Sequence, residues 1–322
     1  MTYTSGGLIQ ATDYNGFVST TAGANVNNVW STGSVDAGWG QPALSTVAAT
    51  NSITATQWAT LRNTLVNMGA QTNTTITART APTAGDLITI LAALNTDLTN
   101  ITANRLNAVA NGTQFTGWTG TNSKTGTTSG GTWSITFTNT VTFASADAAR
   151  YFFNAGGRIK IDVSKTSTGA TGDPEWNDLA NNLCGDIFIT GGTATQTIAG
   201  TAYTGTTRIG GSASPNILAT TTGWYDLTAG AAATIVYKQF ADTAPYTSNF
   251  IQHSIAKNAG STALTITTLW SASDGDPITG GSAASGASPG TAPCTIVTYF
   301  PPSSTYLSTT SWGTPTVAAT TV

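Results

Sequence analysis

The chain has 322 residues and a net charge of −3; 39% of its residues are hydrophobic and only 8% are charged. Disordered chains are rich in charge and poor in aromatic residues, so the nine Trp, nine Tyr and ten Phe favour a folded protein. No basic cluster is present, which argues against nucleic-acid binding. No apolar run approaches the roughly 20 residues that span a membrane, and the N-terminal MTYTSGGLIQ lacks the features of a classical secretory signal.

The scarcity of charge also bears on how the surface is used. Threonine makes up about a fifth of the chain, and its branched Cβ favours β-sheet. Net charge helps to keep monomeric proteins dispersed. A neutral, hydroxyl-rich surface is therefore typical of a subunit covered by copies of itself or by neighbouring proteins.

Residues 1–50 show weak periodicity. A short helix is possible after Thr12, and the segment 36–42 has the composition of a turn with an aromatic anchor at Trp39. We predict an extended N-terminal arm over 1–50 that is ordered by contacts.

Residues 51–110 predict a helical hairpin for docking or oligomerisation. Thr54 and Gln57 form a capping-box pattern before a helix that carries Trp58 and Leu61. A second pattern, Thr83 with Asp86, precedes apolar residues at heptad spacing: Leu87, Leu91, Leu94, Leu98 and Ile101. These residues form either one face of the hairpin, packed on Trp58 and Leu61, or a short bundle between identical chains. Both readings can hold together.

Residues 111–322 predict a β-rich, outward-facing domain. Trp133 opens a strand of alternating apolar and hydroxyl residues. Ser145 then caps a short helix that ends at Gly156-Gly157. A strand follows from Arg158, with Ile159 and its alternate neighbours pointing inward and Arg158, Lys160 and Asp162 outward. The same pattern predicts further strands near 186–190, 216–227, 233–240, 248–257, 263–271 and 293–300.

The expected fold class is mainly β with a small helical N-terminal part. Its C-terminal domain should be an antiparallel, sandwich-like β structure with short helices. We predict a long loop over 273–292 and an extended tail after Pro301.

Few side chains are suited to catalysis. His253 is the only histidine, and no GxSxG motif accompanies it. Cys184 and Cys294 are far apart and are expected to be reduced thiols in the core, which is consistent with synthesis in a reducing cytoplasm. One histidine and two distant cysteines do not make a zinc site.

The remaining candidates are carboxylates and exposed aromatic residues. Asp173, Glu175 and Asp178 are explained by a helix start, and Asp274 with Asp276 by a turn, although the latter pair could bind Ca²⁺ weakly. The aromatic residues predicted in loops are Trp224, Tyr225 and Trp312. They could stack on sugar rings, but packing in a core or interface is the commoner role of such side chains. We therefore predict no enzyme, no cofactor and no metal.

Several segments together resemble virion structural proteins of tailed bacteriophages, particularly the cyanophage-like members: LIQATDYN (8–15), VWSTGS (29–34), GWGQ (38–41), ITATQW (53–58), ARYFFNAGG (149–157) and EWN (175–177). The resemblance covers about half of the chain and brings no catalytic residues. It implies a repeated, non-enzymatic part of a phage particle, made in the host cytoplasm and located in the virion.

The sequence thus predicts a tail or neck fibre, or a baseplate appendage, that forms a homo-oligomer, expected to be a trimer. Its partners would be other virion proteins and a host surface glycan, with neither nucleic-acid binding nor membrane insertion. The alternatives are a capsid decoration protein, a tail polysaccharide depolymerase that uses carboxylates, and a bacterial surface adhesin or sheath subunit.

Overall fold

The computed structural model describes residues 10–21, 23–83, 93–122, 132–166, 173–272 and 293–321. Four of the six α-helices within these ranges precede the first strand, and all are short except α3. The helices are α1 (Ala11–Phe17), α2 (Val26–Val29), α3 (Ala55–Thr72), α4 (Leu94–Ala103), α5 (Ala146–Asn154) and α6 (Asp173–Asp178).

The described residues also contain thirteen strands: β1 (Phe115–Thr121), β2 (Trp133–Thr142), β3 (Arg158–Lys165), β4 (Asp186–Ile189), β5 (Gln196–Ile198), β6 (Thr201–Tyr203), β7 (Thr206–Ile209), β8 (Ile217–Leu218), β9 (Thr234–Phe240), β10 (Phe250–Lys257), β11 (Ala263–Ala272), β12 (Pro293–Phe300) and β13 (Thr316–Thr321). One sheet has the order β1-β12-β3-β4-β7 and a second has β13-β2-β11-β10-β9-β8, while β5 and β6 pair separately. All named strand pairs are antiparallel. The predicted mainly-β, antiparallel fold class is confirmed.

Aromatic side chains fill the space between the two large sheets. Trp118 of β1 meets Phe137 of β2 with ring centroids 6.0 Å apart, and Trp176 of α6 stacks on Trp270 of β11 at 5.8 Å. Three of these four rings are at least 98% buried, and Trp118 is partly buried. Burial of such large apolar surfaces is the main stabilising contribution in a sandwich of this kind.

Two predicted helix starts have the expected cap. The Thr54 hydroxyl accepts a hydrogen bond from the Gln57 backbone N–H, and the Thr54 N–H donates to Gln57 Oε1 at 2.8 Å. Ser145 likewise accepts from the N–H of Ala148 at 3.0 Å and begins α5. These bonds satisfy amides that the first turn of a helix leaves unpaired.

The described residues of the N-terminal segment, 10–21 and 23–50, pack into the core and do not stand apart as an arm. These residues contain α1 and α2, and most of their buried apolar side chains belong to the same hydrophobic cluster as those of both large sheets. Trp39 is fully buried, and its indole N–H lies 3.1 Å from both the Arg105 and the Asn154 carbonyl oxygens. One side chain thus links the three segments that the sequence separated.

The segment from α5 to β3 has the predicted order of helix, glycine stop and strand. The exposure of one side chain, Arg158, differs from the prediction. Gly156 has φ of 99°, which favours glycine. Arg158, predicted to face solvent, is only 4% exposed. The β5–β6 hairpin and the end of β12 cover it, placing its guanidinium 4.7 Å from the ring centroids of both Tyr203 and Phe300.

Two further predictions need correction. The expected strand over 216–227 is only the two-residue β8, followed by a 3₁₀ turn at Trp224–Asp226. The C-terminal tail is not merely extended, because β13 pairs with β2 and completes the edge of the six-stranded sheet. Among the helices of the described ranges, none has the length and hydropathy required to cross a bilayer.

Candidate functional site

Clusters of metal-ligating side chains and reactive cysteines would be the first signs of a catalytic site in the described part of the chain. No group of three or more His, Cys, Asp or Glu residues is placed there to hold a metal ion. Cys184 and Cys294 are both free and buried, and burial raises the pKa of the Cys184 thiol to about 12. A thiol with so high a pKa remains protonated at neutral pH and is a poor nucleophile.

His253 is fully buried on the inner face of β10. Its Nδ1 lies 3.0 Å from Thr268 Oγ1 on β11, and its ring stacks on Tyr237 of β9 at 5.3 Å. Burial lowers the pKa of His253 to about 3, because a charged imidazolium is poorly solvated in the core. The imidazole is therefore neutral at physiological pH and acts as a packed core side chain.

The carboxylates of α6 show one unusual feature. Glu175 is 8% exposed, and its Oε1 has no hydrogen-bond partner in the described residues. Burial raises the pKa of Glu175, a hydrogen bond from Thr243 opposes the increase, and Asp178 and Asp242 reinforce it. Asp274 and Asp276, the other predicted pair, lie outside the described residues, as does the Asp173 side chain.

The residues predicted to form an oligomer interface lie mostly inside the chain's own core. Five of them have no exposed surface: Trp58, Leu61, Leu94, Leu98 and Ile101. A side chain without exposed surface has none to offer to a second chain, so in this conformation these five form the intramolecular packing of α3 and α4. Leu87 and Leu91 lie outside the described residues.

The aromatic residues proposed for sugar stacking are also covered. Trp224 and Trp312 are 3% and 2% exposed, and Tyr225 is half-buried with its hydroxyl donating to Asn154 Oδ1 at 2.9 Å. Packing explains all three. The exposed aromatic ring that the sequence reading missed is Phe115, which is 50% exposed.

Phe115 lies in a groove of about 370 Å³ at one end of the sandwich, which we call the aromatic groove. The groove is formed by the start of β1, the end of β12 and the segment that leads to β13. Its lining residues are Gly112, Thr113, Gln114, Phe115, Tyr299, Pro301, Pro302, Ser304, Thr310, Trp312, Gly313 and Thr314. None of these twelve is charged, and burial raises the pKa of Tyr299, which keeps its phenol neutral.

Local structure explains why Phe115 is exposed. A bulge between Thr116 and Trp118 resets the alternation of β1, so Phe115 pairs with Tyr299 and Trp118 pairs with Val297, two residues apart on one face. Trp118 packs against the core. Phe115 is the first residue of β1 and lies outside the core, where half of its surface is exposed. A glycine inside a strand often marks such a bulge, and Gly117 lies at this position between Phe115 and Trp118.

The opposite wall of the groove is held by Gln41. Its Oε1 accepts from the Thr309 N–H at 2.9 Å and its Nε2 donates to the Thr309 carbonyl at 3.0 Å. Ser311 Oγ also donates to the Trp39 carbonyl at 2.9 Å. On the β1 side, the Gly112 N–H donates to the Pro301 carbonyl at 2.8 Å. These bonds fix both walls through the backbone.

Comparison of the chain with protein-family models, with characterised proteins and with solved structures gave no match.

Proposed function

We propose that the chain is a non-enzymatic structural subunit of a bacteriophage particle that contacts the host surface. The observation that carries this proposal is the use of the ionisable groups. His253 and Cys184 are buried and neutral, and Lys160 is paired with Asp162 and Asp186 at 3.5 and 3.3 Å on the sheet surface. Such groups support a fold and leave neutral surfaces for contact, while the resemblance of the N-terminal and α5–β3 segments supports the virion assignment.

The threonine content supports contact through hydroxyl-rich surfaces. On the outer face of the six-stranded sheet, Thr138 lies between Thr267 of β11 and Thr320 of β13. These side chains are half-buried or exposed. A neutral face of this kind can be covered without the desolvation cost of charged groups.

Mass spectrometry of purified phage particles from a culture that makes this protein tests the proposal. The chain should be present at a defined, repeated copy number, while abundant host proteins fall to background. Its absence from particles would overturn the virion assignment. Copy number also separates a fibre or appendage from a capsid decoration protein, and recovery on the cell surface of uninfected bacteria would point to an adhesin or sheath subunit.

A homo-oligomer, with a trimer as the expected form, belongs to the same proposal. Because the buried faces of α3 and α4 are used within one chain, its interface would use other surfaces. Native mass spectrometry of the purified protein at micromolar concentration should give the mass of three chains per oligomer. A stable monomer under these conditions would contradict the proposed assembly.

The second candidate is a polysaccharide depolymerase, favoured by the unpartnered, buried Oε1 of Glu175 and its raised pKa. General acids of glycoside hydrolases have raised pKa values. Under this alternative, Glu175→Gln abolishes halo formation on host lawns, whereas the exposed control Asp147→Asn retains it. Equal halos, or no halo for the native protein, would exclude it.

A further inference from the structure

The aromatic groove carries polar side chains that the fold does not use. Thr113, Gln114, Ser304, Thr310 and Thr314 are all exposed, and their side-chain polar atoms make no hydrogen bond to the described part of the chain. Together they supply hydroxyl donors and acceptors and one amide. Elsewhere comparable side chains are committed, as Gln41 is to Thr309. The groove therefore presents free, neutral hydrogen-bonding groups around one aromatic ring.

The exposed ring of Phe115 is supported by a second aromatic ring. The Phe115 centroid lies 5.1 Å from that of Tyr299, which is 3% exposed and packed in the core. The pairing of the two residues across β1 and β12 fixes the backbone beneath the ring. A ring held in this way loses little conformational freedom when a ligand covers it, which favours binding.

The chemistry of the lining selects the class of ligand. Phosphate, carboxylate and nucleic-acid ligands require cationic or clustered N–H donors, and no Lys or Arg lines the groove. An apolar small molecule would leave the five polar side chains unpaired on binding. A neutral sugar matches both parts, since its C–H face packs on the aromatic ring and its hydroxyls pair with the surrounding groups. The volume of about 370 Å³ falls within the roughly 300–1,000 Å³ of small-molecule sites.

We propose that the aromatic groove binds a short segment of a neutral saccharide, with one sugar ring stacked on Phe115. The walls fixed by Gln41 and Gly112 make the site preformed. This assignment deepens the proposed host-contact function and rests on it for its biological role, whereas the binding itself depends only on the groove.

The purified full-length chain should be titrated with neutral hexose and N-acetylhexosamine oligosaccharides, using isothermal calorimetry and a saccharide array. At least one neutral saccharide should bind. Phe115→Ala should weaken it about tenfold, the effect of losing one aromatic stacking contact. Phe115→Trp should retain binding because it keeps the ring surface. The matched control Ile235→Ala, on β9 and 41% exposed, should leave affinity unchanged. Circular dichroism should show that all three variants are folded.

Three results would overturn the inference. They are the absence of binding to every neutral saccharide at millimolar concentration, equal affinity in native protein and Phe115→Ala, and binding of acidic saccharides or a proline-rich peptide in preference to neutral ones. The test is independent of the virion assignment. If the chain is found in purified phage particles but binds no sugar, only the saccharide-binding proposal is refuted. If it binds sugar but is absent from phage particles, only the virion assignment is refuted.

Discussion

Acidification should destabilise this protein through His253. The side chain is fully buried, and burial lowers its pKa to about 3, whereas a histidine in the unfolded chain titrates near 6.5. Between these values the unfolded state binds one more proton than the folded state, so the free energy of unfolding falls as the pH falls. The slope is about 1.4 kcal/mol per pH unit, and lowering the pH from 7 to 4.5 should cost about 2.5 kcal/mol from this group alone.

The surroundings of His253 support this sign. Its neighbours across the sheet are Thr268 and Tyr237, and burial raises the pKa of the Tyr237 phenol, which stays neutral. Desolvation is the one cause of the lowered pKa of His253. No carboxylate among the described residues holds the imidazolium in place, so protonation must be accommodated by opening the core.

The assay is urea unfolding at pH 7 and pH 4.5 of the native chain and of His253→Gln, which cannot titrate. Carboxylate contributions are common to both chains, so the difference between their pH dependences isolates His253. The native chain should lose about 2.5 kcal/mol more than the variant over this interval. Equal losses, or a smaller loss in the native chain, would contradict this prediction and show that the imidazole is solvated or paired in the folded state.

Three other predictions concern stability. Burial raises the pKa of Glu175, so the native chain should lose stability as the pH rises from about 4 through that raised pKa. The variant Glu175→Gln should therefore unfold at a higher urea concentration than the native chain at pH 7 but not at pH 3.5. A variant less stable than the native chain at pH 7 would contradict this. Removing residues 314–322 deletes β13 and exposes the edge of β2, which should lower the thermal midpoint and cause concentration-dependent aggregation in light scattering; an unchanged midpoint would show that β13 contributes nothing. Gln41→Ala leaves the Thr309 backbone groups without their partner and should cost about 1–3 kcal/mol in urea unfolding, whereas a neutral effect would mean that water replaces the amide.

Local features of the fold could be predicted from the sequence because their causes are local. The Thr54 and Ser145 caps depend on side chains within three residues of the amides they satisfy. The glycine stop at Gly156 depends on its own φ. Alternation identified β9, β10 and β11 to within a few residues, since side chains two apart share a face whatever lies opposite. The aromatic content also favoured a folded protein.

The candidate site was not predictable in the same way. The groove around Phe115 forms because β1 pairs with β12, almost 180 residues later, and because the segment before β13 supplies the opposite wall. Arg158 follows the alternation of an outward residue, yet the β5–β6 hairpin covers it. Heptad spacing could not decide whether Leu94, Leu98 and Ile101 meet a second chain or their own.

The class of secondary structure, the capped starts of α3 and α5 and the shortage of reactive groups therefore follow from the sequence alone. Which surfaces are covered depends on long-range contacts that appear only in the folded chain. Trp39 became the buried link between three segments through bonds to Arg105 and Asn154, while Phe115 was left at the edge of the core. Burial depends on which distant segments meet, and apolar patterning specifies that a face is buried without specifying by what.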